Sequence, residues 1–108
     1  MVCEMEFERA CNTEVIRIHA FFVDWLTGRY PNSSEIFWKG CGKAFSKDLV
    51  LINPSGEVSR NGDLRYELQK AYGNLEGSNF NMKIRNFQVL QSHPDWCLTM
   101  YEKWHYHG

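Results

Sequence analysis

The chain has 108 residues, which suits one domain with one core, and its 44% hydrophobic and 23% charged content is an ordinary globular balance. A formal net charge of -1 gives no electrostatic footing for nucleic acid, and no apolar stretch approaches membrane-spanning length. The four cysteines (Cys3, Cys11, Cys41 and Cys97) form no CxxC pair, and the acidic start Met-Val-Cys-Glu-Met-Glu is unlike a signal peptide, so reduced thiols in a cytoplasmic protein are expected.

The first predicted element is a long helix from about Cys3 or Glu4 to Thr27, with Gly28 as its stop. At 3.6 residues per turn, Thr13, Arg17, Ala20, Asp24 and Thr27 form one narrow polar stripe. Val15, Ile16, Ile18, Phe21, Phe22, Val23, Trp25 and Leu26 occupy most of the remaining circumference. A helix so widely apolar must be wrapped, and a curved sheet is the natural wrapper. Asn32 with Glu35 resembles a capping arrangement for a short second helix bearing Ile36, Phe37 and Trp38, which weakens at Gly40 and Gly42. Leu49 to Asn53 reads as a strand ended by a Pro54-Ser55-Gly56 turn. Arg60 to Tyr72 reads as a third helix stopped at Gly73.

The remainder is β. Apolar positions run Phe80, Met82, Ile84, then change phase to Phe87 and Val89, which predicts a bulge or bend near Asn86. A turn at Ser92-His93-Pro94-Asp95 leads to a last strand with two distinct faces. Trp96, Leu98, Met100, Glu102, Trp104 and Tyr106 lie on one, and Cys97, Thr99, Tyr101, Lys103 and His105 on the other. The more apolar face is expected to be the inward, concave one. The class is α+β, with helices on one face of an antiparallel sheet.

Phe21-Phe22-Val23-Asp24-Trp25-Leu26-Thr27-Gly28, Leu51-Ile52-Asn53-Pro54-Ser55-Gly56 and Tyr101-Glu102-Lys103-Trp104, in this element order, resemble the nuclear transport factor 2-like superfamily. This cone-shaped, cystatin-like fold also houses SnoaL-like cyclases and ketosteroid isomerases, and the likeness is greatest to a branch of unknown function. It implies one domain over residues 1–108, with a curved antiparallel sheet of three to four strands around the long N-terminal helix, and about three helices. It does not carry over isomerase chemistry. Ketosteroid isomerases place an aspartate base where this chain has Asn53 before Pro54, and a tyrosine oxyanion donor where alignment puts Phe21. Relatives usually add at least one strand after the Tyr-Glu-x-Trp segment, so the sheet is read as small or the chain as a fragment. A homodimer through the sheet is the expected remedy for an open edge.

Glu102 is the sharpest site candidate, since it interrupts the presumed inner face. Burial there would raise its pKa unless a cation paired with it, and Arg85 stands opposite in a plain hairpin. His19, on the apolar side of the first helix, is read as either a satisfied core residue or a ligand contact. If the two converge, either could act as a general base for an isomerase, cyclase or dehydratase. The expected ligand-binding set is His19, Phe22, Trp25, Trp38, Arg85, Met100, Glu102 and Trp104, with Tyr30 and Phe45 near the mouth. No cofactor and no metal is expected, because His105 and His107 lack an evident third ligand and Gly40-Cys41-Gly42 lacks the features of a phosphate loop. Cys41 and Cys97, without an adjacent histidine, read as inert. The leading expectation is a pocket for a small, largely apolar ligand. The rivals are an enzyme using Glu102 or His19, and a dimerising module without a ligand.

Overall fold

The computed structural model describes residues 4–107, and their side chains from residue 6. Cys3 therefore lies outside the described residues. Among these residues the chain is α+β, with three α-helices, one short 3-10 turn and four antiparallel strands in two sheets. It divides into two compact units, one of residues 1–23 with 78–108 and one of residues 24–77. No helix among the described residues is long and apolar enough to cross a membrane.

Helix α1 (Glu4–Leu26) is continuous, as the periodicity predicts. Its polar stripe is only partly exposed: Thr13, Arg17 and Ala20 face solvent, whereas Thr27 beyond its end is buried. Gly28 ends it at φ 74°, where Arg29 N–H bonds to Asp24 O at 2.8 Å. A Cβ at Gly28 would meet nothing closer than 3.6 Å, so the backbone angle, not space, requires glycine there. The carbonyls of Trp25 and Leu26 accept from the N–H groups of Gly73 and Leu75, at 3.1 and 2.9 Å. The chain after the third helix thus caps the end of the first.

In the unit of residues 24–77, helix α2 (Ser34–Gly40) starts one residue later than the capping pattern predicts. Extended Ser33, not Asn32, places its Oγ to accept from Ile36 N–H, while Glu35 pairs with Lys39 at 2.8 Å instead of reaching back. Strand β1 (Val50–Ile52) pairs with β2 (Val58–Arg60), a strand whose three residues are too few to show alternation in the sequence. Asn53 builds the turn between them: its Oδ1 accepts from the N–H groups of Ser55 and Glu57 at 3.1 and 2.9 Å. Helix α3 (Asn61–Lys70) follows at once, so Arg60 ends the strand instead of opening the helix. The centre of this unit is Trp25, only 1% exposed. Its ring lies 4.8 Å from Tyr72 and 5.3 Å from Phe37, and its Nε1–H donates to Leu68 O at 2.9 Å.

In the other unit, β3 (Asn81–His93) and β4 (Trp96–Tyr106) form a long hairpin closed at Pro94 and Asp95. The expected bulge is present: Asn86 has φ 54°, and the register shifts between Arg85 and Gln88. A second shift, between Val89 and Gln91, is not evident from the apolar pattern. The two shifts keep Met82, Ile84, Phe87, Val89 and Ser92 on the more buried side of β3, although their parity changes twice. Their partners on β4 are His105, Lys103, Thr99 and Cys97, and Phe87 stacks on Tyr101. That face meets α1, through Cys97 against Cys11 and Tyr101 against His19.

The expected assignment of faces is therefore reversed. Trp96, Leu98, Met100, Trp104 and Tyr106 lie on the exposed side, with Glu102 among them. Ranking two faces by apolarity assumes that only one is to be covered, and this hairpin carries apolar residues on both.

Replacing Trp25 by Phe removes the bond to Leu68 O and leaves a gap beside Phe37. We expect a loss of about 2 kcal/mol in a denaturant titration, with the tryptophan's near-ultraviolet signal lost as well.

Candidate functional site

The polar groups that the fold gathers lie between α1 and the inner face of the hairpin. His19 sits in the middle of α1 and is 8% exposed. Its Nδ1 is 2.7 Å from Val15 O, one turn back. A carbonyl only accepts, so Nδ1 carries the proton and the neutral ring keeps Nε2 as a lone-pair acceptor. The imidazole contacts Phe22 and Tyr101 edge-on, with ring centroids 5.4 and 5.7 Å away. Burial lowers the His19 pKa below its ordinary value, the bond to Val15 opposes this, and the positive charges of Lys103 and His105 lower it further.

Its neighbours are shifted in the same sense, each toward its neutral form. Burial raises the Tyr101 hydroxyl above the usual phenol range and lowers the Lys103 ammonium below the usual lysine range. Lys103 itself is exposed at the margin of the layer. His105 is lowered by burial first, then by Lys103 and His107. Phe80, buried at the start of the hairpin, touches both His105 and His107, at 5.6 and 5.1 Å between ring centroids. The layer thus holds a neutral acceptor, a phenol and an amine against aromatic surface. Such groups suit hydrogen bonding to a mostly apolar molecule. Among the described residues, no group of three His, Cys, Asp or Glu side chains is placed to hold a metal ion.

Of the predicted ligand-binding residues, only His19 and Phe22 lie in this layer. Glu102 is fully exposed on the outer face, and its pKa is lowered, not raised. Hydrogen bonding from Trp104 Nε1, at 2.9 Å, is the main cause, followed by Asn86 and by the charge of Arg85. The predicted pairing of Arg85 with Glu102 across the strands is present as register. Arg85 itself donates to the Tyr106 hydroxyl at 3.3 Å and stacks over Trp104, 5.5 Å from its centroid. Met100 and Trp104 share that exposed face. Because Glu102 and His19 lie on opposite sides of the hairpin, the acid-base pair that convergence would allow does not form.

Trp25 and Trp38 belong to the other unit. Trp25 is core, and Trp38 is half exposed beneath the guanidinium of Arg65, 5.1 Å from its ring. Tyr30 is exposed and its carbonyl accepts from the Tyr72 hydroxyl. Asn53 Oδ1 is consumed by its turn and Phe21 is buried without a hydroxyl, so neither supplies isomerase chemistry. The sequence reading passed over Tyr101 and Lys103. Their signal was the apolar phase of β3, because Met82, Ile84, Phe87 and Val89 mark the inner side and cross-strand pairing carries that mark to β4.

No family model and no curated protein matches this chain. Among solved structures it is similar to the crystal structure of an NTF-2-like protein of unknown function from Pseudomonas aeruginosa. The TM-score is 0.78 at 21% sequence identity, over 89% of this chain and 72% of that one. The chain therefore has the nuclear transport factor 2-like fold. At this identity the likeness carries the fold and no activity.

The lowered pKa of His19 sets a pH dependence. Its folded-state value lies below that of the unfolded chain, so the unfolded state binds more protons between the two. Stability should fall as pH drops below about 6.5 and level off once the folded pKa is passed. His19→Gln should flatten that slope in urea titrations at successive pH values, and an NMR titration should place His19 below the ordinary histidine value.

Proposed function

We propose that this is a self-associating nuclear transport factor 2-like domain in which the outer face of the β3–β4 hairpin covers the same face of a second copy. One observation carries the reading. Trp96, Leu98, Met100, Trp104 and Tyr106, with Leu90 beside them, are 37% to 55% exposed on one hairpin. Soluble monomers seldom leave a contiguous apolar patch of that size in water. The charges on the face favour a like partner. Glu102 and Arg85 are cross-strand neighbours, and each takes a neutral hydrogen-bond partner on its own chain, Trp104 and Tyr106 respectively. A two-fold axis near them would set Arg85 of each copy against Glu102 of the other, which is the self-complementarity of an isologous interface.

A second reading concerns the inner layer. His19, Tyr101 and Lys103, each shifted toward its neutral form beside Phe22 and Phe87, support binding of a small, largely apolar ligand with one donor for His19 Nε2. Glu102 has no part in it. A general-base enzyme is the weaker alternative, because His19 would act without a carboxylate partner from the hairpin.

Sedimentation velocity tests the first reading. The wild type should dimerise, and Leu98→Lys should weaken the dimer at least about tenfold while leaving the monomer's circular dichroism unchanged. A wild type that stays monomeric at millimolar concentration would sink the proposal, as would a Leu98→Lys dimer of unaltered affinity. For the second reading, thermal shifts against apolar phenols and amides should include ligands whose effect disappears in His19→Phe. Ligands that stabilise both proteins equally would remove His19 from the site.

A further inference from the structure

Cys11 and Cys97 are 86 residues apart in the chain, yet their thiols are in hydrogen-bond contact, 3.0 Å between the Sγ atoms. Cys11 is on the hairpin-facing side of α1, two turns before His19, and Cys97 is the second residue of β4, beside the closed end of the hairpin. Both are half-buried, so a small oxidant can reach them. A disulfide needs about 2.05 Å between the sulfurs. About 1 Å of approach separates the pair from a bond, within reach of side-chain rotation.

We propose that Cys11 and Cys97 are a reversible oxidation site, at which a peroxide closes an intrachain disulfide that fastens α1 to β4. Cys11 is pushed up to about 11, first by the hydrogen bond with Cys97, then by burial and by the charges of Cys97 and Glu8. Cys11 holds its proton, and Cys97 is the sulfur that meets the oxidant. Cys97 sulfur attacks one peroxide oxygen, forming an S–O bond and breaking the O–O bond, and the departing hydroxide takes the Cys97 thiol proton and leaves as water. Cys11 sulfur then attacks Cys97 sulfur. The S–S bond forms, the S–O bond breaks, and the departing hydroxide takes the Cys11 proton as a second water. Two thiols lose two electrons and one hydrogen peroxide gains them. A low-molecular-weight thiol reverses the reaction by exchange. This site stands apart from the dimer and ligand readings, because neither sulfur is among the residues they use.

The bond closes a loop of most of the chain, so it restricts the unfolded state strongly. The test is to treat the full chain with hydrogen peroxide, block remaining thiols by alkylation and map peptides without reduction. We expect a Cys11–Cys97 linked peptide and a Tm raised by about 10 °C, both reversed by dithiothreitol. Cys41→Ser should keep both effects, and Cys97→Ser should lose both. Full alkylation of Cys11 and Cys97 after peroxide, or a bond to Cys3 or Cys41 instead, would overturn the proposal. The wild-type peptide map decides this even if the serine variants fold poorly.

Discussion

The unit formed by α1 and the hairpin depends on one backbone event, the bulge at Asn86. Side chains on a strand alternate, so Ile84 and Phe87 cannot share a face of a regular ladder. The register shift between Arg85 and Gln88 lets them do so, with Asn86 absorbing the extra residue at φ 54°. Asparagine tolerates that left-handed conformation better than most residues with a side chain. Without the shift, Phe87 and Val89 would turn outward and the contact between Phe87 and Tyr101 would be lost. The inner layer, and therefore the position of His19 against Tyr101, follows from this one turn of phase.

The two sides of the hairpin solve different electrostatic problems. Inside, His19 and Tyr101 are shifted toward their neutral forms because the fold withdraws them from water, and Lys103 shifts the same way at the exposed margin of the layer. Outside, Glu102 and Arg85 stay charged among large apolar side chains and are held by Trp104 and Tyr106. An apolar face with charges near its middle differs from a core. In the proposed dimer, the aromatic area would supply the contact and the charges would fix orientation.

The unit of residues 24–77 has a simpler logic. Trp25 is closed in by Phe37 and Tyr72, its indole is satisfied by Leu68 O, and the helix end that carries it is capped by Gly73 and Leu75. Asn53 and Asn61 are turn and anchor residues: Asn53 closes the β1–β2 hairpin, and the Asn61 amide donates to Phe45 O. At the position that the sequence resemblance would give to an isomerase's base, Asn53 Oδ1 is bound to backbone N–H groups. Chemistry there would have to compete with the turn itself.

The sequence alone determined what depends on local rules. It set α1 through its 3.6-residue apolar period and Gly28, the hairpin through Pro94-Asp95 and the bulge through the slip from Ile84 to Phe87, while the nuclear transport factor 2-like fold came from the resemblance of its motifs. It did not reveal β2, because three residues, none of them buried, carry no pattern. Nor did it decide which face of β4 is inward. Apolarity favoured Trp96, Leu98, Met100 and Trp104, but the face of β4 is fixed by its partner strand, and β3 pairs its apolar side with Cys97, Thr99, Lys103 and His105. That choice moved Glu102 out to solvent and brought Tyr101 and Lys103 toward His19. It also brought Cys11 against Cys97. Such contacts join residues far apart in the chain, and only the folded register can place them.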